Sequence, residues 1–196
     1  MKRTKNSLKI TAILCVFFFL ISCNPLEDDS TSSSMLLILG ITGTSIDGDD
    51  VSFHHSDVMI EGGVRADSAT ATLQAKLLNP EPLVPQASQY TSIIVTRYVV
   101  SYSRSDGQNT PGVDVPYSFE GSLSTLIEID ATVDISFVIV REVAKLEPPL
   151  LDLRAGGDEI VLQVTATIDF YGHDLVNNAV KATGYLSIFF ADYVDP

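Results

Sequence analysis

Several stretches of this chain alternate apolar and polar residues so regularly that they leave little but β-structure open. Side chains on a strand point alternately to two faces, so a period of two sends one set into a core and the other into water. Ile127, Ile129, Ala131, Val133, Ile135, Phe137 and Ile139 alternate with Glu128, Asp130, Thr132, Asp134 and Ser136. That run is long for one strand, and either one bent strand or two consecutive strands fit it. Ala69 to Leu77 repeats the pattern, as do Ile160 to Phe170 and Ala182 to Phe190. The last two flank Tyr171–Asn178, rich in Gly, Asp and Asn, and therefore predict a hairpin. Ser92–Ser103 is β-branched and aromatic, but Thr96 and Arg97 interrupt any one-sided pattern. It reads as a central strand, partly buried on both faces.

Shorter strand candidates are Leu36–Ile41, Val51–Phe53 and Val115–Gly121, giving seven or eight strands. Glu142–Leu146 has room for one helical turn before Pro148-Pro149 ends it. Gly156-Gly157 reads as a tight turn. The expected class is all-β, an antiparallel β-sandwich of immunoglobulin or fibronectin type III kind, with a closed barrel as the alternative closure. The chain has no Trp and two cysteines, Cys15 and Cys23. The usual immunoglobulin landmarks are therefore only partly present, and a hydrophobic core has to supply the stability.

The first residues carry Lys2, Arg3, Lys5 and Lys9 with no acid, and an apolar run follows from Ile10 to Ile21. That run is shorter than the ~20 residues of a spanning helix and reads as a secretory signal. Leu20-Ile21-Ser22-Cys23 resembles the lipobox of bacterial lipoproteins. The resemblance implies cleavage after Ser22 and a lipid on Cys23, which anchors the protein to a membrane without a spanning segment. Asn24, where an aspartate commonly signals inner-membrane retention, favours the outer membrane, with the periplasmic or surface face left open. The acids from Glu27 to Asp29 are similar to a surface-export signal. The expected organisation is a signal at 1–22, a lipidated cysteine with a flexible tether at 23–34, and one domain at 35–196. The segments Thr96–Gly121, Lys145–Leu153 and Thr165–Tyr193, with Asp47–Met59 as a weaker addition, resemble a group of bacterial envelope lipoproteins to which no activity is assigned. This implies address and fold and carries over no catalytic residue.

Removing the signal takes the basic residues from 12 to eight against 25 acidic ones, so the formal charge moves from −13 to −17. Such a surface repels nucleic acid and anionic lipid. Asp47, Asp49 and Asp50, and likewise Asp106 and Asp114, lie in oxygen-rich turns that calcium could use, although neither stretch has EF-hand spacing. Turn formation explains the same residues without an ion. Otherwise no cofactor is implied. His54-His55, near Asp49, Asp50 and Asp57, invites a metal reading, but neighbours on a strand face opposite ways. His173 falls in the expected hairpin turn. Gly43-Thr44-Ser45-Ile46-Asp47 lacks the second glycine of a nucleophile elbow, and no zinc-protease motif is present. Among the aromatics Tyr98, Tyr102, Tyr117, Tyr171, Tyr185, Tyr193, Phe189 and Phe190, the best candidates for a binding face are Tyr185, Phe189 and Tyr193, opposite Leu186 and Ile188. The expected function is a non-enzymatic binding or structural module for an envelope protein or glycan. The rivals are an envelope hydrolase using Asp/Glu acid–base chemistry and a calcium-dependent adhesion module.

Overall fold

The computed structural model describes residues 32–61, 63–79, 89–154 and 160–193. The expected signal, Cys23, the expected tether up to residue 31 and Gly156-Gly157 lie outside the described residues. Among the described residues nine strands follow one another: β1 (Ser34–Thr44), β2 (Asp50–Val51), β3 (Phe53–Asp57), β4 (Asp67–Leu77), β5 (Ile93–Ser103), β6 (Phe119–Ile127), β7 (Thr132–Val140), β8 (Leu162–Asp174) and β9 (Ala179–Ala191). They form two sheets, β2-β1-β4-β7 and β3-β9-β8-β5-β6, in an all-β sandwich. Strand-to-strand connections cross between the sheets at β2–β3, β3–β4, β4–β5, β6–β7 and β7–β8.

The alternating residues point inward as their period requires. Ala71, Leu73 and Ala75 of β4 meet Val164, Ile168, Phe170, Ile188 and Phe190 of β8 and β9 in one core. The long run at 127–139 divides: Ile127 ends β6, Asp130 turns the chain at φ 64°, and β7 begins at Thr132. The β8–β9 hairpin forms, but its strands extend further than the turn composition suggested. His173 is the penultimate residue of β8, half-buried, and the turn is Leu175–Asn178. The Asp174 carboxylate holds that turn by accepting from the Val176 and Asn178 amides.

Thr96 and Arg97 have a different meaning from the one expected. Between Val95 and Arg97 the register to β8 shifts, leaving Thr96 as an extra residue. This bulge moves the inward set from Ile93 and Val95 to Tyr98, Val100 and Tyr102, so β5 is buried on one face with a change of phase. Gly172 lies opposite the bulge, where a Cβ would stand 2.3 Å from the Ile94 carbonyl oxygen. A second bulge in β1, between Ile38 and Gly40, has the same effect. A third leaves Ile139 extra in β7, which turns backbone groups toward the core. Tyrosines of the opposite sheet satisfy them: the Val138 amide donates to the Tyr98 hydroxyl at 3.2 Å, and the Tyr102 hydroxyl donates to the Ile139 carbonyl at 2.7 Å.

Two further departures concern the edges of the fold. The sandwich is antiparallel except at one edge, because the chain turns again at Ser52 after the two residues of β2 and β3 then runs parallel to β9. The domain also takes in residues with linker composition, since Ser34 opens β1 and its hydroxyl donates to the Thr91 carbonyl at 2.6 Å. After β7, Glu142–Leu146 forms a 3-10 turn as expected. Beyond the two prolines, Leu150–Leu153 forms a short α-helical turn, α1, that sequence periodicity was too brief to signal.

Two substitutions test these contacts by chemical denaturation. Tyr102→Phe leaves the buried Ile139 carbonyl without its donor and should cost about 1–3 kcal/mol. Gly172→Ala should cost a similar ~1–3 kcal/mol by forcing backbone apart. Gly40→Ala, with open space at its Cβ position, should change stability far less.

Candidate functional site

Strand directions sort the loops into two ends. Ser34 pairs with Leu77 and Thr42 with Thr70, so β1 carries the chain from one end of the sandwich to the other over 11 residues. At the usual rise of an extended strand that is roughly 33 Å. The far end collects the β1–β2 turn, the β3–β4 loop, the β5–β6 loop, the β7–β8 connection and the residues after β9. A cleft of about 560 Å³ opens there. It is lined by Thr44–Ile46, by His54, His55 and Asp57 of β3, by Ile60, by Ala66–Ser68, and by Tyr193.

Gly43 makes this corner possible. A Cβ on it would lie 2.4 Å from the Phe53 carbonyl oxygen and 2.6 Å from the His54 Cβ, so only glycine lets β1 pass this close to β3. The approach brings two amides of the β1 end onto the paired histidines. The Thr44 amide donates to His54 Nδ1 at 3.0 Å and the Ile46 amide donates to His55 Nδ1 at 3.2 Å. With Nδ1 accepting in both rings, the ring proton sits on Nε2. The two imidazoles nevertheless face opposite ways, as their adjacency on a strand requires: His54 is buried and His55 is half-exposed.

Inward of His54 lies a polar cluster that joins three separate parts of the chain. The Lys145 ammonium, 2% exposed, donates to Asp67 Oδ1 at 2.7 Å and to the Asp57 carbonyl at 2.7 Å. The Ser56 hydroxyl donates to Asp67 Oδ2 at 2.5 Å, and His54 Nε2 stands 3.5 Å from the same oxygen. Burial works to raise the Asp67 pKa, but His54, Lys145 and Ser56 outweigh it and hold the carboxyl below its ordinary range. Arg154 donates to the Lys145 carbonyl at 2.8 Å, which ties the end of α1 to the same point.

Outward of β3 the chemistry is aromatic. His55 packs against Phe53, Phe189 and Tyr193, with ring centroids 4.9 to 5.6 Å away. Desolvation, followed by repulsion from His54, pushes the His55 pKa down against a smaller pull from Asp47. Burial, helped by Asp57, raises the Tyr193 hydroxyl to about 12. Of the three expected binding aromatics, Phe189 and Tyr193 are therefore together, and the Tyr193 hydroxyl donates to the Phe189 carbonyl at 3.2 Å. Tyr185 is 66% exposed and stands apart from them, four positions before Phe189 on β9. On an extended strand that separation is roughly 13 Å. Tyr98 and Tyr102 belong to the core.

Of the aspartates considered for calcium, Asp106 and Asp114 accept hydrogen bonds within their own loop. The Asp49 amide donates to the Ser45 hydroxyl across the β1–β2 turn, where Gly48 has φ 86°. Asp106 is paired with Arg104 and accepts from the Gln108 amide, and Asp114 accepts from the Thr110 amide at 2.9 Å. Among the described residues, no three His, Cys, Asp or Glu side chains converge to hold a metal ion. Sequence reading singled out the histidines and Asp57 but missed Asp67, Ser56 and Lys145. They come from β4, β3 and the β7–β8 connection, and no local pattern links them.

Asp67→Asn keeps the shape and removes the counter-charge of a buried ammonium, which should cost about 3–5 kcal/mol at neutral pH. Because the folded pKa lies below the ordinary 3.8, the wild-type advantage is complete above that value and fades as pH falls through the folded one. Urea titrations at neutral pH and under acid conditions should show the gap between the two proteins narrowing on acidification. A thermal melt in calcium and then in chelator should give the same midpoint, since an ion bound to the native state alone would raise it.

Among the described residues no helix is long and apolar enough to cross a membrane. No family model matches the chain, and no curated protein is detectably similar to it.

Proposed function

We propose that this protein is a lipid-anchored envelope lipoprotein whose sandwich is a non-enzymatic binding or structural module, engaging a protein or glycan partner with its far end. The lipobox-like Leu20-Ile21-Ser22-Cys23 supports the anchor at Cys23, with the outer membrane as its address. The observation that carries the reading is the polarity of β1. The chain enters at Ser34, and the cleft, the His55–Tyr193 aromatic cluster and the Asp47–Asp50 and Asp106–Asp114 turns all lie at the opposite end, a strand's length of 11 residues away. A tethered domain so built holds these groups away from its point of attachment.

Strand order supports a fibronectin type III-like module. The core sheet β1-β4-β7 faces β6-β5-β8-β9, which corresponds to strands A-B-E against C′-C-F-G, and β3 adds to the last strand in parallel. Modules of this architecture commonly use end loops for recognition. The far-end loops expose Ile46, Met59, Val113 and Tyr117, apolar groups suited to a partner surface. Acid–base hydrolysis is a weaker reading because Asp67, one of the cleft's two lining carboxylates, is engaged by Lys145 and Ser56.

The test is site-specific photo-cross-linking in intact cells. A reactive side chain at Ile46 or Tyr117 should capture one recurring envelope partner, while the same group at Leu78 or Val176, at the entry end, should not. Equal capture from both ends would remove the far end from the account. Intact mass of the membrane-extracted protein should match a chain beginning at lipidated Cys23, and an unlipidated mature chain would remove the anchor.

A further inference from the structure

The end at which the chain enters the sandwich has turns of uncommon composition. Turn tips are ordinarily polar, because their residues meet water. The β8–β9 turn instead presents Leu175 and Val176, and the neighbouring segments present Leu78 after β4 and Tyr90 before β5, all four between 41 and 65% exposed. Hydrogen bonds gather these segments round the entry point. The Leu78 amide donates to the Ser33 carbonyl at 2.8 Å, the Ser34 hydroxyl donates to the Thr91 carbonyl at 2.6 Å, and the Leu175 amide donates to the Tyr90 carbonyl at 3.2 Å. In a chain with 25 acidic residues, the described segments 77–79, 89–92 and 174–179 hold one, Asp174, which is buried inside its own turn. The acids of the adjoining β6–β7 turn, Glu128 and Asp130, stand lower. The Asp130 amide donates to the Ala75 carbonyl, three positions before Leu78 on the same strand, and on an extended strand that separation is roughly 10 Å.

We infer that this end is a membrane-contact face, on which Leu78, Tyr90, Leu175 and Val176 enter the headgroup layer of the bilayer that holds the anchor. The inference rests on the lipidated Cys23 proposed above. Ser32, where the described chain begins, stands nine positions after Cys23, and nine extended residues reach roughly 30 Å at most. So short a tether keeps the bilayer at high effective concentration before this end. The exposed apolar groups of the far end lie a further strand's length away. Aliphatic tips and a tyrosine suit the headgroup layer, the first by burying apolar surface and the second by keeping a hydroxyl among polar groups. Charge cannot supply the attraction for a chain of formal −13, so the face that can approach is the one with apolar tips and no exposed acid.

Fluorescence quenching on the full-length lipoprotein tests this contact. Leu78→Cys and Val176→Cys, with Val113→Cys at the far end as the control, each carry an environment-sensitive dye on the new thiol. The proteins are reconstituted in phosphatidylethanolamine and phosphatidylglycerol vesicles, with and without a lipid bearing a nitroxide near its headgroup. The nitroxide should extinguish most of the emission from Leu78→Cys and Val176→Cys and leave Val113→Cys at its nitroxide-free brightness. Equal quenching at both ends, or none at Leu78→Cys and Val176→Cys, in protein whose intact mass shows the lipid on Cys23, would overturn the contact face and leave the anchor standing. A mass without that lipid would overturn both.

Discussion

The buried ammonium of Lys145 is the constraint on which the far end of this molecule depends. Its side chain is 2% exposed. A charge so placed requires a counter-charge and acceptors, and these come from separate segments. Asp67 opens β4 in one sheet, while Asp57 and Ser56 belong to β3 in the other. The cation itself sits on the connection from β7 to β8. This cluster joins the two sheets beside the hydrophobic core. The cleft above it and the aromatic group beside it take their positions from the same residues.

Glycine and bulges act on the other side of that balance. Gly43 lets β1 approach β3 closely enough for two backbone amides to hold the two histidines. The bulge in β7 turns backbone groups inward, and Tyr98 and Tyr102 reach across from the second sheet to satisfy them. Polar groups thus enter the interior only where a partner of fixed geometry meets them. The same bulge ends the regular pairing of β7 with β4 at Val138.

Strand existence was legible in the sequence wherever alternation was uninterrupted, as in β4, β8 and β9. Local turn chemistry was legible too in the Asp-rich loops, whereas Asp130, which turns the chain at φ 64°, read only as one polar position of an alternating run. Bulges were not, because a residue such as Thr96 among β-branched neighbours looks like a loss of amphipathicity when it is a change of phase. The parallel pairing of β3 with β9 was invisible for a different reason: it joins segments far apart in the chain. The candidate site shows the same division. His54-His55 drew attention through their spacing, and Phe189 and Tyr193 through alternation. Lys145 stood in a stretch read only as a turn before prolines, and Asp67 was one acid among 25.

Hydrogen exchange on the Lys145→Met protein tests most directly whether this cluster organises the far end. Methionine fills the space of the lysine stem without its charge, leaving Asp67 to be solvated from the cleft. The account predicts faster exchange confined to β3, the start of β4 and residues 142–154, with the β8–β9 and β1–β4 ladders near Ser34 as protected as before. Uniform loss of protection across both sheets, or no change at β3, would contradict it.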